Sequence, residues 1–157
     1  MQLYMIRHAK AKSAADGQED IDRELSGTGK KAARRLAAKL RELPQSPSMI
    51  LCSPAVRARQ TCGILTMAPD YLGQLTYCPE LYHADAEDYY SILAQYGGSA
   101  DPLAVVAHNP AIEKFLEALT GEEHRMKTAN AAILDCECTR WDQLKESSVL
   151  LREIVVP

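Results

Sequence analysis

The chain has 157 residues, of which 46% are hydrophobic and 25% are charged, and its formal net charge is −3 at pH 7. This balance excludes a disordered or fibrous chain, and it provides no overall positive field that would attract nucleic acid or an anionic membrane. The length predicts one domain, spanning residues 1–157.

The cysteines and the first residues of the chain both bear on its compartment. The five cysteines are odd in number and show no paired CxxC spacing, which predicts reduced thiols. The opening MQLYMIRH reaches a charge at its seventh residue and contains no apolar stretch long enough for a signal peptide or a membrane span. We therefore expect a cytoplasmic protein with no membrane partner.

Strand and helix patterns alternate from the start of the chain. A short apolar run over residues 2–6 predicts a buried strand. From Thr28, apolar residues recur at the i, i+3, i+4, i+7 spacing of an amphipathic helix, which Pro44 and Pro47 end. A second buried strand is predicted over residues 49–52.

Two later helices carry the same start signal. Ser53 and Pro54 match an N-cap and a first helical position for a helix running to about Met67. Asn109 and Pro110 repeat that signal for a second helix. Another helix is predicted over 86–96, and further strands over 75–78, 103–107, 131–138 and 148–156. This alternation predicts a three-layer α/β/α sandwich with a mainly parallel central sheet.

Polar clusters stand just beyond the three strongest strands. Arg7 and His8 follow the first, residues 53–59 follow the second, and His108 and Asn109 follow the strand over 103–107. The carboxyl ends of parallel strands form the ligand crevice of such a sheet, so we expect these clusters to converge. The helices that follow would point their N-termini into the crevice, which favours a bound anion such as phosphate.

The charged residues of these clusters favour phosphoryl chemistry over a metal site. Arg57 falls in the first turn of its helix, and with Arg7 it offers two planar forks for phosphoryl oxygens. His8, His83 and His108 could instead ligate a metal. No HxH or HExxH spacing is present, however, and adjacent arginines disfavour a cation. We therefore rank metal-free phosphoryl transfer first and expect neither a metal nor a cofactor.

Three ordered motifs carry a resemblance to a known family. LYMIRHAKAK, LCSPAVRARQT and VVAHNP resemble, in order and spacing, the motifs of the histidine phosphatase superfamily, whose fold is phosphoglycerate mutase-like. DRELSGTGKKAARRLAAKL, ELYHAD and LTG further resemble its small SixA-type phosphohistidine phosphatase branch. The first motif departs from the family in one place, since Ala9 stands where the family has glycine.

The resemblance implies that His8 is the nucleophile and becomes transiently phosphorylated, while Arg7, Arg57 and His108 hold the phosphoryl oxygens. A neutral imidazole is a competent nucleophile near neutral pH, so the chemistry agrees with this role. Ser53 and Asn109, from the same polar clusters, are further candidates for binding phosphate.

The general acid is the least defined part of the predicted site. Glu80 in PELYHAD is the nearest candidate, and Tyr82 and His83 are neighbouring alternatives. A missing acid favours phosphoramidate substrates, because imidazole leaves more easily than an alkoxide. The leading hypothesis is thus a phosphatase acting on a phosphorylated protein at phosphohistidine. The alternatives are a phosphomonoesterase for small phosphorylated substrates and a catalytically silent module that binds phosphoproteins.

Overall fold

The computed structural model describes residues 1–67 and 71–157, which form one six-stranded sheet with helices on both faces. The strands are β1 (Gln2–Arg7), β2 (Met49–Cys52), β3 (Gln74–Tyr77), β4 (Leu103–Ala107), β5 (Ala131–Cys136) and β6 (Val149–Val155). The α-helices are α1 (Gly27–Arg41), α2 (Val56–Leu65), α3 (Asp88–Tyr96) and α4 (Ala111–Thr120). Short 3-10 helices cover Asp20–Asp22, Pro79–Tyr82 and Trp141–Glu146.

The sheet is mainly parallel, as predicted. Its strand order is β3-β2-β4-β1-β5-β6. β3, β2, β4 and β1 pair in parallel, whereas β5 pairs antiparallel with both β1 and β6. The two final strands are joined by residues 137–148, which contain a 3-10 helix but no α-helical crossover, in keeping with their antiparallel pairing.

Helices cover both faces of the sheet, which explains why its central strands are apolar throughout. Successive side chains of a strand point to opposite faces, so Leu3 and Met5 join one core layer and Tyr4 and Ile6 join the other. The first layer receives α3 and α4, and the second receives α1 and α2. The predicted three-layer α/β/α sandwich is therefore confirmed.

The predicted helix starts at Ser53 and Asn109 are wrong. α2 begins at Val56 after Ala55, and α4 begins at Ala111 after Pro110, so both polar residues lie ahead of their helices. Each side chain has a tertiary partner instead, which the short-range capping signal does not take into account. At the start of α3, the carboxylate of Asp85 accepts the backbone N–H groups of Glu87 and Asp88.

The segment between β1 and α1 folds back on itself beside the sheet. Ala11 and Leu25 form an isolated antiparallel bridge, and the Ser26 N–H donates to Lys10 O over 2.9 Å. The 3-10 helix Asp20–Asp22 lies within this segment. Within the described residues, no helix combines the length and the apolarity that crossing a bilayer would require.

Candidate active site

The carboxyl ends of β1, β2 and β4 bring together four of the residues predicted from the sequence, namely Arg7, His8, Arg57 and His108. The ring centroids of His8 and His108 lie 4.9 Å apart. Arg57, in the first turn of α2, places its Nε 3.3 Å from His8 Nε2. The backbone N–H of His8 donates to Ala107 O, which continues the pairing of β1 with β4 into the site. Neighbouring parallel strands thus bring these side chains together at the edge of the sheet where the crevice was predicted.

His8 is held as a neutral imidazole with a defined tautomer. His8 is only 8% exposed, and its Nδ1 atom lies 2.8 Å from the carbonyl oxygen of Ala9. Because a carbonyl only accepts, Nδ1 carries the proton and Nε2 keeps its lone pair. Burial lowers the pKa of His8 to about 4; the bond to Ala9 opposes this shift, and the charges of Arg57 and Arg7 reinforce it.

His108 is neutral for a similar reason. Burial is the largest cause that lowers the pKa of His108 to about 3, and the neighbouring His8 and Arg57 add to the shift. Its Nε2 lies 2.7 Å from Ser53 Oγ. Among the described residues, no group bonds its buried Nδ1. Ser53 is therefore placed to orient His108, and the remaining ring nitrogen is left for another partner.

Arg7 lies beside the two histidines with one donor unpaired. Its Nη1 donates to Met126 O over 2.7 Å, and Asn109 Nδ2 donates to the same carbonyl over 3.0 Å. The Nε atom of Arg7 is buried and has no hydrogen-bond partner in the described part of the chain. Buried donors are normally paired, so this guanidinium N–H can still take an acceptor such as an anion.

Asp20 is a member of the site that the sequence reasoning missed. Arg57 donates to it twice, from Nη1 to the backbone oxygen over 2.6 Å and from Nη2 to Oδ2 over 2.9 Å. Arg23 Nε donates to Oδ1 over 2.8 Å, and Tyr82 Oη donates to Oδ2 over 2.9 Å. The available sequence signal was its position three residues before Arg23, in a loop otherwise without a pattern.

The carboxylate of Asp20 is strongly acidic in this setting. Partial burial opposes ionisation, but hydrogen bonds from Tyr82 and Arg23, together with the charge of Arg57, outweigh it and lower the pKa to about 2. Asp20 is therefore an ionised acceptor and not a proton donor near neutral pH.

Glu80 is not brought together with the histidines. Its Oε1 accepts a hydrogen bond from Tyr96 Oη in α3 over 2.9 Å. The residue of this segment that contacts the site is Tyr82, whose ring meets His108 edge-on at 5.7 Å between centroids. Arg57 Cζ lies 5.9 Å from the centroid of the Tyr82 ring. Tyr82 therefore forms a wall of the crevice.

Two lysines of the first motif lie near the site without entering it. Lys12 pairs with Glu24 over 2.7 Å, and both side chains are about half exposed. Lys10 is exposed, and its backbone oxygen accepts from Ser26. As for metal binding, no group of three or more His, Cys, Asp or Glu side chains within 1–67 and 71–157 is arranged to hold an ion.

The fold and the crevice together define an α/β protein in which two neutral histidines and two arginines lie together at the carboxyl edge of the sheet. The sequence model of the histidine phosphatase superfamily (branch 1) matches residues 3–91, and the chain belongs to that family. The family is one of phosphatases, so the chain is a hydrolase by class.

Individual relatives agree with this assignment. An uncharacterized protein from Picosynechococcus sp. is 32% identical over 139 residues, which cover 82% of this chain and 81% of the relative. The structure of a candidate phosphohistidine phosphatase SixA from Agrobacterium tumefaciens matches with a TM-score of 0.85 at 30% identity, covering 99% of this chain and 97% of the other. The structure of the protein histidine phosphatase SixA complexed with tungstate has the same fold, with a TM-score of 0.83 and 21% identity. The match covers 100% of this chain and 97% of the other.

Proposed function

We propose that the chain is a metal-free phosphatase that removes phosphate from protein phosphohistidine through a phosphorylated His8. The observation that carries the proposal is the lone pair of a neutral His8 Nε2 facing the guanidinium of Arg57 in a buried crevice. This arrangement combines a nucleophile with a fixed positive charge at the position where a phosphoryl group would lie.

In the first step His8 Nε2 attacks the phosphorus atom in line with the leaving group. The new bond forms from the Nε2 lone pair, and the leaving group takes the electrons of the bond that breaks. The ring becomes cationic while Nδ1 keeps its proton, and the carbonyl of Ala9 stabilises that charge through the existing hydrogen bond. Arg7, Arg57 and His108 hold the equatorial oxygens.

In the second step water hydrolyses the phosphorylated His8. The water oxygen bonds to phosphorus, the electrons of the phosphorus–nitrogen bond return to Nε2, and the protons of the water pass to phosphate and solvent. The same arginines stabilise the charge on the oxygens in both steps, so the site needs little rearrangement between them. Ser53 and Asn109 support the reaction through their neighbours, since their side chains bond His108 and the carbonyl that also holds Arg7.

The ionisation states around the crevice support a phosphoramidate substrate. An alkoxide leaving group needs a proton from a neutral acid. The carboxylate nearest the site, Asp20, is ionised, and Glu80 is bonded to Tyr96 on another element. An imidazole that already carries a proton on its second nitrogen leaves as a neutral ring without such an acid. The resemblance to the candidate SixA phosphatase supports the same substrate class.

Rapid acid and base quenching of the wild-type protein with phosphohistidine peptide tests this proposal. We expect acid-labile phosphate on the protein, and we expect turnover faster on phosphohistidine than on sugar phosphates. His8→Ala should lower turnover on the order of 10³-fold or more and abolish the trapped phosphate, because the nucleophile is gone.

His124→Ala provides a matched control, since this histidine bonds Thr120 on the far end of α4. It should retain turnover and the trapped intermediate. Full activity in His8→Ala would contradict the covalent mechanism. Faster turnover of sugar phosphates than of phosphohistidine would show that small phosphate esters are the preferred substrates.

A further inference from the structure

Tyr82 and Asp20 form a hydrogen-bonded pair in the wall of the crevice. The hydroxyl of Tyr82 donates to Asp20 Oδ2 over 2.9 Å. A carboxylate that is ionised can only accept, so the phenolic proton points toward Asp20. The hydroxyl oxygen has two lone pairs, of which Arg57 lies close enough to engage one, and the other can accept from a further donor. The pair is consequently an acceptor site and not an acid.

Arg57 places this pair on the outer side of the phosphoryl position. Its Nε contacts His8 Nε2, while its two Nη atoms contact Asp20. His8 is 8% exposed, whereas the side chain of Asp20 is 55% exposed. In-line attack from the buried His8 drives the leaving group outward, away from Nε2. The leaving group therefore departs past Tyr82 and Asp20.

We propose that the Tyr82–Asp20 pair recognises a protonated imidazole as the leaving group by accepting its N–H at the hydroxyl oxygen of Tyr82. The inference rests on the proposed function and names the residues that select its substrate. The ring enters with a proton on the nitrogen remote from phosphorus. When the phosphorus–nitrogen bond breaks, its electrons move onto the ring nitrogen and a neutral imidazole leaves, with no proton taken from the protein.

The contacts around the pair keep it an acceptor of hydrogen bonds. Asp20 faces Arg57 from α2 and Arg23 from its own segment, and these pairs keep it ionised. Tyr82 faces His108, which is neutral, and its sequence neighbour His83. Burial and the hydrogen bond to Asp20 raise the pKa of Tyr82, so the hydroxyl neither ionises nor gives up its proton to a leaving group. The aromatic ring also offers an imidazole a face to pack on.

Tyr82→Phe tests the proposal, because it removes the hydroxyl and keeps the ring against His108. The substrates are a phosphohistidine peptide and 4-nitrophenyl phosphate, whose leaving group has no N–H to donate. We expect the ratio of kcat/KM for the two substrates to fall about tenfold or more, the scale of one hydrogen bond to a charged donor. Asp20→Asn should lower the same ratio.

The pH profile of kcat gives a second readout, since it reports groups in the bound complex. The pair holds the proton on the bound ring, so wild-type turnover of phosphohistidine should persist to higher pH. In Tyr82→Phe the alkaline fall should move to lower pH. A purely structural effect of the substitution would lower kcat at every pH without shifting the pH of this alkaline fall.

Two variants serve as controls. Tyr96→Phe removes a hydroxyl bonded to Glu80, and Asp22→Asn neutralises an exposed carboxylate on the same 3-10 helix as Asp20. Both should leave the substrate ratio unchanged. An equal loss on both substrates, or an unchanged ratio, in Tyr82→Phe would overturn the inference. Absence of phosphohistidine turnover in the wild type, with 4-nitrophenyl phosphate hydrolysed, would instead overturn the proposed function on which the inference rests.

Discussion

The surroundings of His8 determine its protonation state, on which its proposed role as a nucleophile depends. In water a histidine titrates near 6.5, whereas burial and the charges of two arginines hold the pKa of His8 at about 4. The imidazole is therefore neutral over the whole range in which cells operate. In the proposed mechanism the free protein therefore already holds His8 in the form that attacks phosphorus.

We predict that NMR titration of the His8 imidazole gives a midpoint near 4. Arg57→Gln should move this midpoint upward, because the variant removes a positive charge that lies beside Nε2 and opposes protonation. Arg152→Gln is the control, since Arg152 pairs with Asp135 in the antiparallel part of the sheet. A midpoint at or above the solution value in the wild type would contradict the neutral-nucleophile mechanism.

At the scale of elements, the start of α1 supports the segment that carries His8. Gly29, in the first turn of the helix, is buried against the backbone of Lys10, and an added Cβ would meet Lys10 O well inside van der Waals contact. Ser26 caps the helix by accepting from the Gly29 N–H over 3.0 Å. The helix and the loop after β1 therefore fit closely, and Lys10 directly follows Ala9, whose carbonyl orients His8.

Gly29→Ala should accordingly affect both stability and turnover. Overpacking of this kind costs about 1–3 kcal/mol, which urea unfolding would measure as a lower free energy of unfolding. Turnover should fall as well, because displacement of Lys10 moves the carbonyl that orients His8. Gly27→Ala is the matched control, since nothing lies within 4 Å of the added Cβ. Equal stability of the two variants would show that the loop yields without cost.

At the scale of the whole molecule, the buried histidines make folding sensitive to acid. In the unfolded chain both His8 and His108 titrate near 6.5, whereas in the folded chain their pKa values are about 4 and about 3. Between these limits the unfolded chain binds more protons than the folded one. The contribution of the two neutral imidazoles to the free energy of unfolding is therefore fully present above about pH 6.5 and is lost as the pH falls toward 4.

We predict that the free energy of unfolding drops between pH 7 and pH 5 by an amount on the order of 2 kcal/mol for each of the two imidazoles. Urea unfolding at several pH values would measure this drop. His108→Asn should remove about half of the dependence, since the asparagine does not titrate. A wild-type stability that stays constant or rises over this range would contradict the burial of neutral histidines.

The sequence by itself determined the elements and the main members of the site. Continuous apolar runs such as 103–107 predict strands covered on both faces, and alternation with amphipathic helices predicts a parallel sheet. Because a parallel sheet aligns the carboxyl ends of its strands, the sequence alone predicts that Arg7, His8 and His108 meet at one edge of the sheet. These inferences depend on local pattern and on a general rule of topology.

The tertiary structure alone decided what the polar side chains bond. Ser53 and Asn109 carry a local capping signal, but their side chains form hydrogen bonds with His108 and with the Met126 carbonyl instead. Asp20 and Tyr82 are 62 residues apart, and their hydrogen bond depends on how two loops pack against α2. A hydrogen bond acts over about 3 Å between specific atoms, so no periodicity or composition along the chain records it. Packing therefore determined which residues surround Arg57 and His8.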